Sequence, residues 1–395
     1  MGMHKKIFNT ILKSLEQGIK LPVNYNTIHS NEEIFEILLQ TSFLHQCIET
    51  TVQQRGYFID DVCSADTVIK RINTYGWERI LVDLKAINGQ LFKKWIDKPK
   101  GNVYVAVDYH DIPRYIQKKR DWKPRKKKCD DVDRLVHSKK QCGTHCFHRV
   151  LSADIVGDEK FTVYFEPILT DYDQGKLPLS LITNVKRTIR IKAMLMDRGF
   201  FQAVTVARLY EHHVPFIIRA IRTKQVKRCL QEFKTNHRIW HVYEYEFNKT
   251  AHSWSDRRGT RVKTTLVVVD SSVAEGIPVE SYDEDDRYFL FITNLPVDSQ
   301  ETAFQLARDF RKRWCIETGY KTKKQFRGKT CSLSYAVRLF LILLSFVLYN
   351  IWICINSRLK HKNHWMQLEK HHVSSYLMMF LCMIHMFSLM IFTEK

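Results

Sequence analysis

From Leu339 to Ser357 the chain carries no charged side chain, and Arg338 and Arg358 close the run at either end. A helix that is apolar all round belongs either in a lipid bilayer or in the interior of a large protein. The run is just long enough to span a bilayer, so length alone leaves both readings open. The basic, polar sequence immediately before it favours a buried helix of a large α/β core, and no membrane partner is expected. Tyr376 to Phe392 is nearly as apolar, broken by His385; it either docks on the first run or forms a contact surface.

The 395 residues can bury a substantial core and divide into two or three domains. A net charge of +20 favours a polyanionic partner, because Lys and Arg that neutralise phosphates release condensed counterions. Charge alone does not separate DNA from RNA or from an anionic membrane. The 10 cysteines show no framework spacing and the N-terminus has no cleavable apolar region, so a reducing, cytoplasmic (nucleoid-associated) setting with free thiols is expected.

Residues 1–98 read as helices, with apolar positions at helical spacing in Ile7, Ile11, Leu12 and Leu15 and in Ile34, Ile37, Leu38, Phe43 and Leu44. Two helices around Tyr75-Gly76 have the form of a helix-turn-helix, a form that any small helical domain shares. From Asn102 the composition changes. Val103 to Val107 is a β-branched strand that the pattern ends at Asp108, and a charged loop with Lys123 to Lys128 follows. Phe147 to Ile155 and Phe161 to Phe165 read as a hairpin, Leu179 to Lys192 as a helix, Ala193 to Met196 as a strand ending at Asp197, and Pro215 to Ile221 as another strand. Residues 222–286 read as a polar, β-rich insertion dividing a core of 99–221 and 287–357, with 358–395 as an apolar tail. Thr302 to Lys324 reads as one continuous helix.

On that last helix Phe310, Arg313, Glu317, Tyr320 and Lys324 recur at steps of three or four and share a face. One carboxylate set among cations is unusual both for a core face and for a plain solvated one. Asp108 and Asp197 each follow an apolar run, so each is anchored by a buried strand while its side chain emerges at the rim. Three carboxylates converging there would offer hard oxygen ligands to Mg²⁺ or Mn²⁺. Two such ions can activate a water or 3′-hydroxyl and stabilise the leaving oxygen in phosphoryl transfer. Either aspartate taken singly also fits a turn or cap, and Arg313 with Glu317 also fits an i,i+4 ion pair.

The run Phe310-x2-Arg313-x3-Glu317-x6-Lys324 resembles the Tyr-x2-Arg-x3-Glu-x6-Lys signature of a class of insertion-sequence transposases, which are DDE enzymes. Val107-Asp108-Tyr-His-Asp-Ile-Pro resembles the first-aspartate block of archaeal members, and Met196-Asp197-Arg-Gly-Phe the second. The likeness covers about residues 100–355. It implies an RNase H-like catalytic core (a mixed sheet flanked by helices) with a β-rich insertion, preceded by an all-helical DNA-binding region. It implies Asp108, Asp197 and Glu317 as catalytic metal ligands, with two Mg²⁺ (or Mn²⁺) ions. Arg313 and Lys324 would contact phosphates, and Phe310 and Tyr320 would lie on the same DNA-facing stripe. Phe310 stands where the signature has tyrosine, keeping the ring without the hydroxyl. Hairpin intermediates require a flipped base, for which Trp254 and Trp240 are candidate stacking partners, each also readable as packed in its own domain. The implied partners are double-stranded DNA, both element ends and target, and a second copy of the chain in the synaptic complex.

Rival readings remain at this level. Cys129, His137, Cys142, His145, Cys146 and His148 cluster as zinc ligands do, although the only close pair is Cys142-x3-Cys146 and strand-like sequence follows. A nuclease on the same core would cleave without joining. A transposon-derived protein that binds DNA without catalysis would keep the charge but not the chemistry.

Overall fold

Five helices come first: α1 (Met3–Gly18), α2 (Asn31–Phe43), α3 (Ile48–Arg55), α4 (Ala65–Tyr75) and α5 (Trp77–Trp95). Ser30 and Ser64 cap α2 and α4 by accepting from the backbone N–H of Glu33 and Thr67. Gly76, at φ 87°, lets α5 start directly after α4, in a backbone region that L side chains avoid. The order then runs β1 (Val103–Pro113), β2 (Val136–Gln141), β3 (Thr144–Val156), β4 (Phe161–Ile168), α6 (Leu179–Thr188) and β5 (Ile191–Met196). A 3₁₀ turn (Arg198–Phe200) leads to α7 (Ala203–Glu211), β6 (Phe216–Arg219), α8 (Lys224–Thr235), β7 (Trp240–Phe247), β8 (Val262–Asp270), α9 (Ser271–Glu275) and β9 (Tyr288–Thr293). Last come α10 (Gln300–Phe310), a 3₁₀ turn (Arg311–Arg313), α11 (Trp314–Gln325) and α12 (Tyr335–Asn363).

This computed structural model describes residues 3–23, 28–95, 101–115, 134–157, 160–169, 176–247, 261–276, 287–363, 374–375, 378–380 and 382–383. Trp254, Lys123 to Lys128, Cys129, Asp283 to Asp286 and most of 376–392 lie outside the described residues. The chain forms two compact units, one of Met1–Lys98, Asp111–Arg149 and Thr318–Lys395, the other of Pro99–His110 and Val150–Glu317.

In the first unit α12 packs against α5, α4 and α2. Its stretch Tyr335–Ser357 is long and apolar enough to cross a membrane, yet it is 94% buried within the protein. Leu339, Phe340, Leu343, Leu344, Phe346 and Leu348 lie at or near zero exposure, each contributing roughly 1.5–3 kcal/mol of transfer free energy. Within this apolar contact Asn350 donates to Asn88 of α5, so two buried amides satisfy each other and oppose a slip in helix register. The Cys/His-rich stretch folds as the β2–β3 hairpin, with His137 opposite Cys146. Its tight turn places Cys142 (φ 49°) and Gly143 (φ 81°) in the left-handed region.

The sheet runs in the order β4-β3-β1-β5-β6-β9-β8-β7, with β2 on β3. β1, β5 and β6 are parallel, whereas β6, β9, β8 and β7 pair antiparallel. In the second unit α6 packs on β4, α8 on β7, and α7 and α10 on β8. The result is a mixed sheet flanked by helices.

Four expectations are corrected. β1 does not end at Asp108 but runs on to Pro113, and the Arg114 N–H continues the pairing to the Cys146 carbonyl. β2 occupies part of what reads as loop, because an exposed hairpin needs no apolar face. Residues 222–286 open with α8, and β7 and β8 continue the core sheet through β9. The helix expected from Thr302 to Lys324 is broken by the 3₁₀ turn at Arg311–Arg313.

Candidate active site

Tyr104 to Val107 of β1 are buried, and burial first eases at Asp108. β5 runs parallel beside it with Val107 opposite Met196, so the next step along both strands brings Asp108 and Asp197 abreast. The Asp197 carbonyl accepts from the Phe200 N–H to close the following turn, while its side chain caps nothing there. The rings of Tyr109 and Phe200 stack at 4.8 Å and 13°, bracing the residues that follow the two acids.

The third acid arrives through Arg313. Its Nη1 donates to Asp108 Oδ2 at 3.0 Å and its Nη2 to Glu317 Oε1 at 2.9 Å, so one guanidinium joins β1 to α11. Arg313 is 8% exposed, Asp108 20% and Glu317 46%, which makes Glu317 the most accessible of the three. Burial pushes the Asp108 carboxyl up to about 6, against the pull of Arg313 and of the Tyr109 N–H. The negative charges of Asp197 and Glu317 add to that rise, so the three carboxylates act on one another. The i,i+4 pair of Arg313 with Glu317 forms, and the same side chain also reaches the first aspartate, a contact the sequence reading did not foresee.

Two residues of the expected stripe lie elsewhere. Phe310 is 5% exposed and packs on Phe289 at 5.0 Å, with the Arg313 guanidinium 5.8 Å above its ring. Tyr320 is 9% exposed and sits near Phe346. The physical reason is the 3₁₀ turn: it changes the rise and rotation between α10 and α11, so a straight helical stripe does not persist across it. Lys324 is exposed, as the stripe expects, whereas its neighbour Lys323 is fully buried. The Lys323 ammonium lies 4.5 to 5.1 Å from the ring centres of Phe346, Tyr320 and Tyr349. Trp240 is half-buried in β7.

The sequence reading missed a support beneath the site. Asp309, 2% exposed at the end of α10, accepts from the Tyr104 hydroxyl and from Lys312 Nζ at 2.6 Å. This ties the turn carrying Arg313 to the strand carrying Asp108; no local signal links residues so far apart. Trp314 was also missed. It is 67% exposed beside Arg313, and a large aromatic at such a position is the signal that could have found it.

The donors are carboxylate oxygens, the type that Mg²⁺ and Mn²⁺ take, and their combined charge exceeds what Arg313 offsets. Among the described residues no three His, Cys, Asp or Glu side chains stand together in a group able to hold one ion. The fit is therefore in donor chemistry and charge, with Arg313 joining two of the three acids.

Comparison with known proteins bears on this arrangement. The chain is similar in fold to the piggyBac transposase solved by cryo-EM as a synaptic complex with hairpin DNA, with a TM-score of 0.55 at 10% identity over 98% of this chain and 78% of that one. No curated protein sequence matches it. The family model of the transposase DDE domain matches residues 105–351, which takes in both aspartates, the insertion, Glu317 and most of α12. With well over half of its length matched, the chain belongs to the transposase DDE domain family.

Proposed function

We propose that the protein cuts an insertion sequence out of DNA and inserts it elsewhere, using Asp108, Asp197 and Glu317 as one catalytic centre. The observation that carries this reading is the coupling of three acids distant in sequence: Asp108 and Asp197 at matching steps of neighbouring parallel strands, both Asp197 and Glu317 acting by charge on Asp108, and Glu317 joined to Asp108 through Arg313. The strand order β4-β3-β1-β5-β6, with β1, β5 and β6 parallel, supports an RNase H-like core. Phe310-x2-Arg313-x3-Glu317-x6-Lys324 supports the Tyr-Arg-Glu-Lys class of insertion-sequence enzymes.

Asp108, Asp197 and Glu317 would hold Mg²⁺ or Mn²⁺, which when bound supplies Lewis acidity for a water or 3′-hydroxyl and for the leaving oxygen. The chain's own groups do the rest. Asp108, set on a buried strand, holds its carboxyl in place without local freedom. Arg313 offsets the charge of two acids and offers a planar donor face suited to a phosphate. Trp314, exposed beside the acids, offers a stacking surface for a base next to the cleaved phosphate. In the hairpin route the freed 3′-hydroxyl attacks the opposite strand and closes the element end, and two ends require two copies of the chain. The lack of framework cysteine spacing supports a reducing, cytoplasmic and nucleoid-associated setting for this action on DNA.

The test is incubation with Mg²⁺ and a plasmid carrying the element with its native flanks, beside Asp197→Ala. Excised element with covalently closed ends, absent from the variant, supports both the transposase and the hairpin route. Open-ended breaks confined to the element ends drop the hairpin. Absence of metal-dependent cleavage by the unaltered protein would overturn the catalytic reading.

A further inference from the structure

Immediately after α11 the chain lines a cavity of about 290 Å³ in the first unit. Lys324, Arg327, Lys329, Arg338, His45 and His148 contribute to its wall, and among the described residues lining it there is no Asp or Glu. Four side chains of fixed positive charge around one concave space repel one another, and a low-dielectric wall strengthens that repulsion. An anion relieves it.

The cavity is also built rather than incidental. His45 adopts φ 53° just past α2, and its Nδ1 donates to the Arg327 carbonyl at 2.7 Å. The Lys329 N–H donates to the Gln46 carbonyl at 2.9 Å, a second tie between the same two segments. A Cβ on Gly328 would come within 2.8 Å of the Thr41 side chain and 3.2 Å of Leu341, so the loop lies against α2 and α12 more closely than any larger residue permits. A site fixed in advance loses little entropy on binding.

We infer that this cavity binds a backbone phosphate of a nucleic-acid strand, with Arg327, Lys329 and Arg338 as its ligands beside Lys324. The inference rests on the DNA-processing reading: Lys324 follows Glu317 by seven residues along α11, and Arg327 to Thr330 continue from that helix. His45 reports on the cavity. Its pKa is lowered first by burial and then by the charges of Lys329, Arg327 and Lys324, against its hydrogen bond to Arg327. A bound anion offsets part of that positive field and raises the His45 pKa. Nδ1 already donates, so the added proton goes to Nε2.

The experiment compares the full chain with Arg338→Gln and with Lys329→Gln, whose side chain is exposed and cannot unfold the protein by its loss. Binding of a labelled duplex of arbitrary sequence is measured by fluorescence anisotropy across a salt series. Loss of one phosphate contact lowers the slope of log K against log salt by about 0.9 in each variant and weakens binding several-fold. In parallel, the His45 ring is titrated by NMR with inorganic phosphate, and its pKa rises in the unaltered protein but less in either variant. Duplex binding with unchanged slope in both variants overturns the phosphate site while leaving the DNA reading intact. If the unaltered protein binds no duplex yet phosphate raises the His45 pKa, the cavity is a free-phosphate site and its assignment to nucleic acid is overturned. No response to either probe overturns the inference entirely.

Discussion

At its N-terminal end α11 carries Trp314 and Glu317, both exposed, with Glu317 paired to Arg313. At its C-terminal end Tyr320 and Lys323 are buried, the ammonium of Lys323 enclosed by three aromatic rings. One helix of twelve residues therefore presents an exposed end and a buried end. An acid that must meet a charged substrate needs water and access, whereas a helix that must hold that acid in position needs a face with no freedom. The exposed end has the first character and the buried end the second.

The largest effect that sharpens this contrast is on activity. Glu317→Gln or Asp197→Ala is expected to lower metal-dependent strand cleavage at least ~10³-fold. Glu317→Gln should cost under about 1 kcal/mol of stability, because Glu317 is half-exposed. A stability loss of several kcal/mol would mean that the exposed end also bears structural weight. Next in size, Lys323→Ala is expected to cost about 2–4 kcal/mol by chemical denaturation, through the cavity and the lost ring contacts, with Lys323→Met recovering part of it. Were Lys323→Ala as stable as the unaltered protein, the buried end would not anchor the helix.

Acidity probes the candidate site. The folded Asp108 carboxyl lies at about 6, above its ordinary value of 3.8, so the folded state binds the proton more tightly than the unfolded one. Stability is therefore full below the unfolded value and falls as pH rises from about 4 to about 6. The loss is roughly 1–3 kcal/mol. Asp108→Asn should remove this fall, and denaturation curves at pH 5 and pH 7 for both proteins decide it. An unchanged pH slope in Asp108→Asn would assign the effect to another group. The smallest effect concerns Trp314→Ala, which should change stability by no more than about 0.5 kcal/mol while weakening DNA binding.

Much of this is legible in the sequence, and the exceptions have physical causes. The uncharged run 339–357 and the two apolar strands ending near acids are local patterns, and the structure carries both. Asp108 reads as a strand end because the buried run stops there, yet β1 continues with half-exposed residues that pair without an apolar signal. In α8 the buried Val226, Cys229, Leu230 and Phe233 keep a helical period that is present in the sequence, although the β-rich character of the rest of 222–286 outweighs it. The 3₁₀ turn at Arg311–Arg313 and the contact of Asp309 with Tyr104 depend on distant partners, and no window of sequence contains them. The cavity beside Lys324 joins the end of α2 to the loop after α11, across most of the chain.

The central proposal is that three carboxylates, on β1, just after β5 and on α11, serve a single metal-binding centre. Electron paramagnetic resonance of Mn²⁺ measures it directly, by following free ion on titration into the protein and into Asp108→Asn, Asp197→Asn and Glu317→Gln. Each single variant is expected to lose at least about tenfold in Mn²⁺ affinity, because each removes a charged ligand of the same site. If any one of the three binds Mn²⁺ as the unaltered protein does, that acid is not part of the centre and the account is wrong.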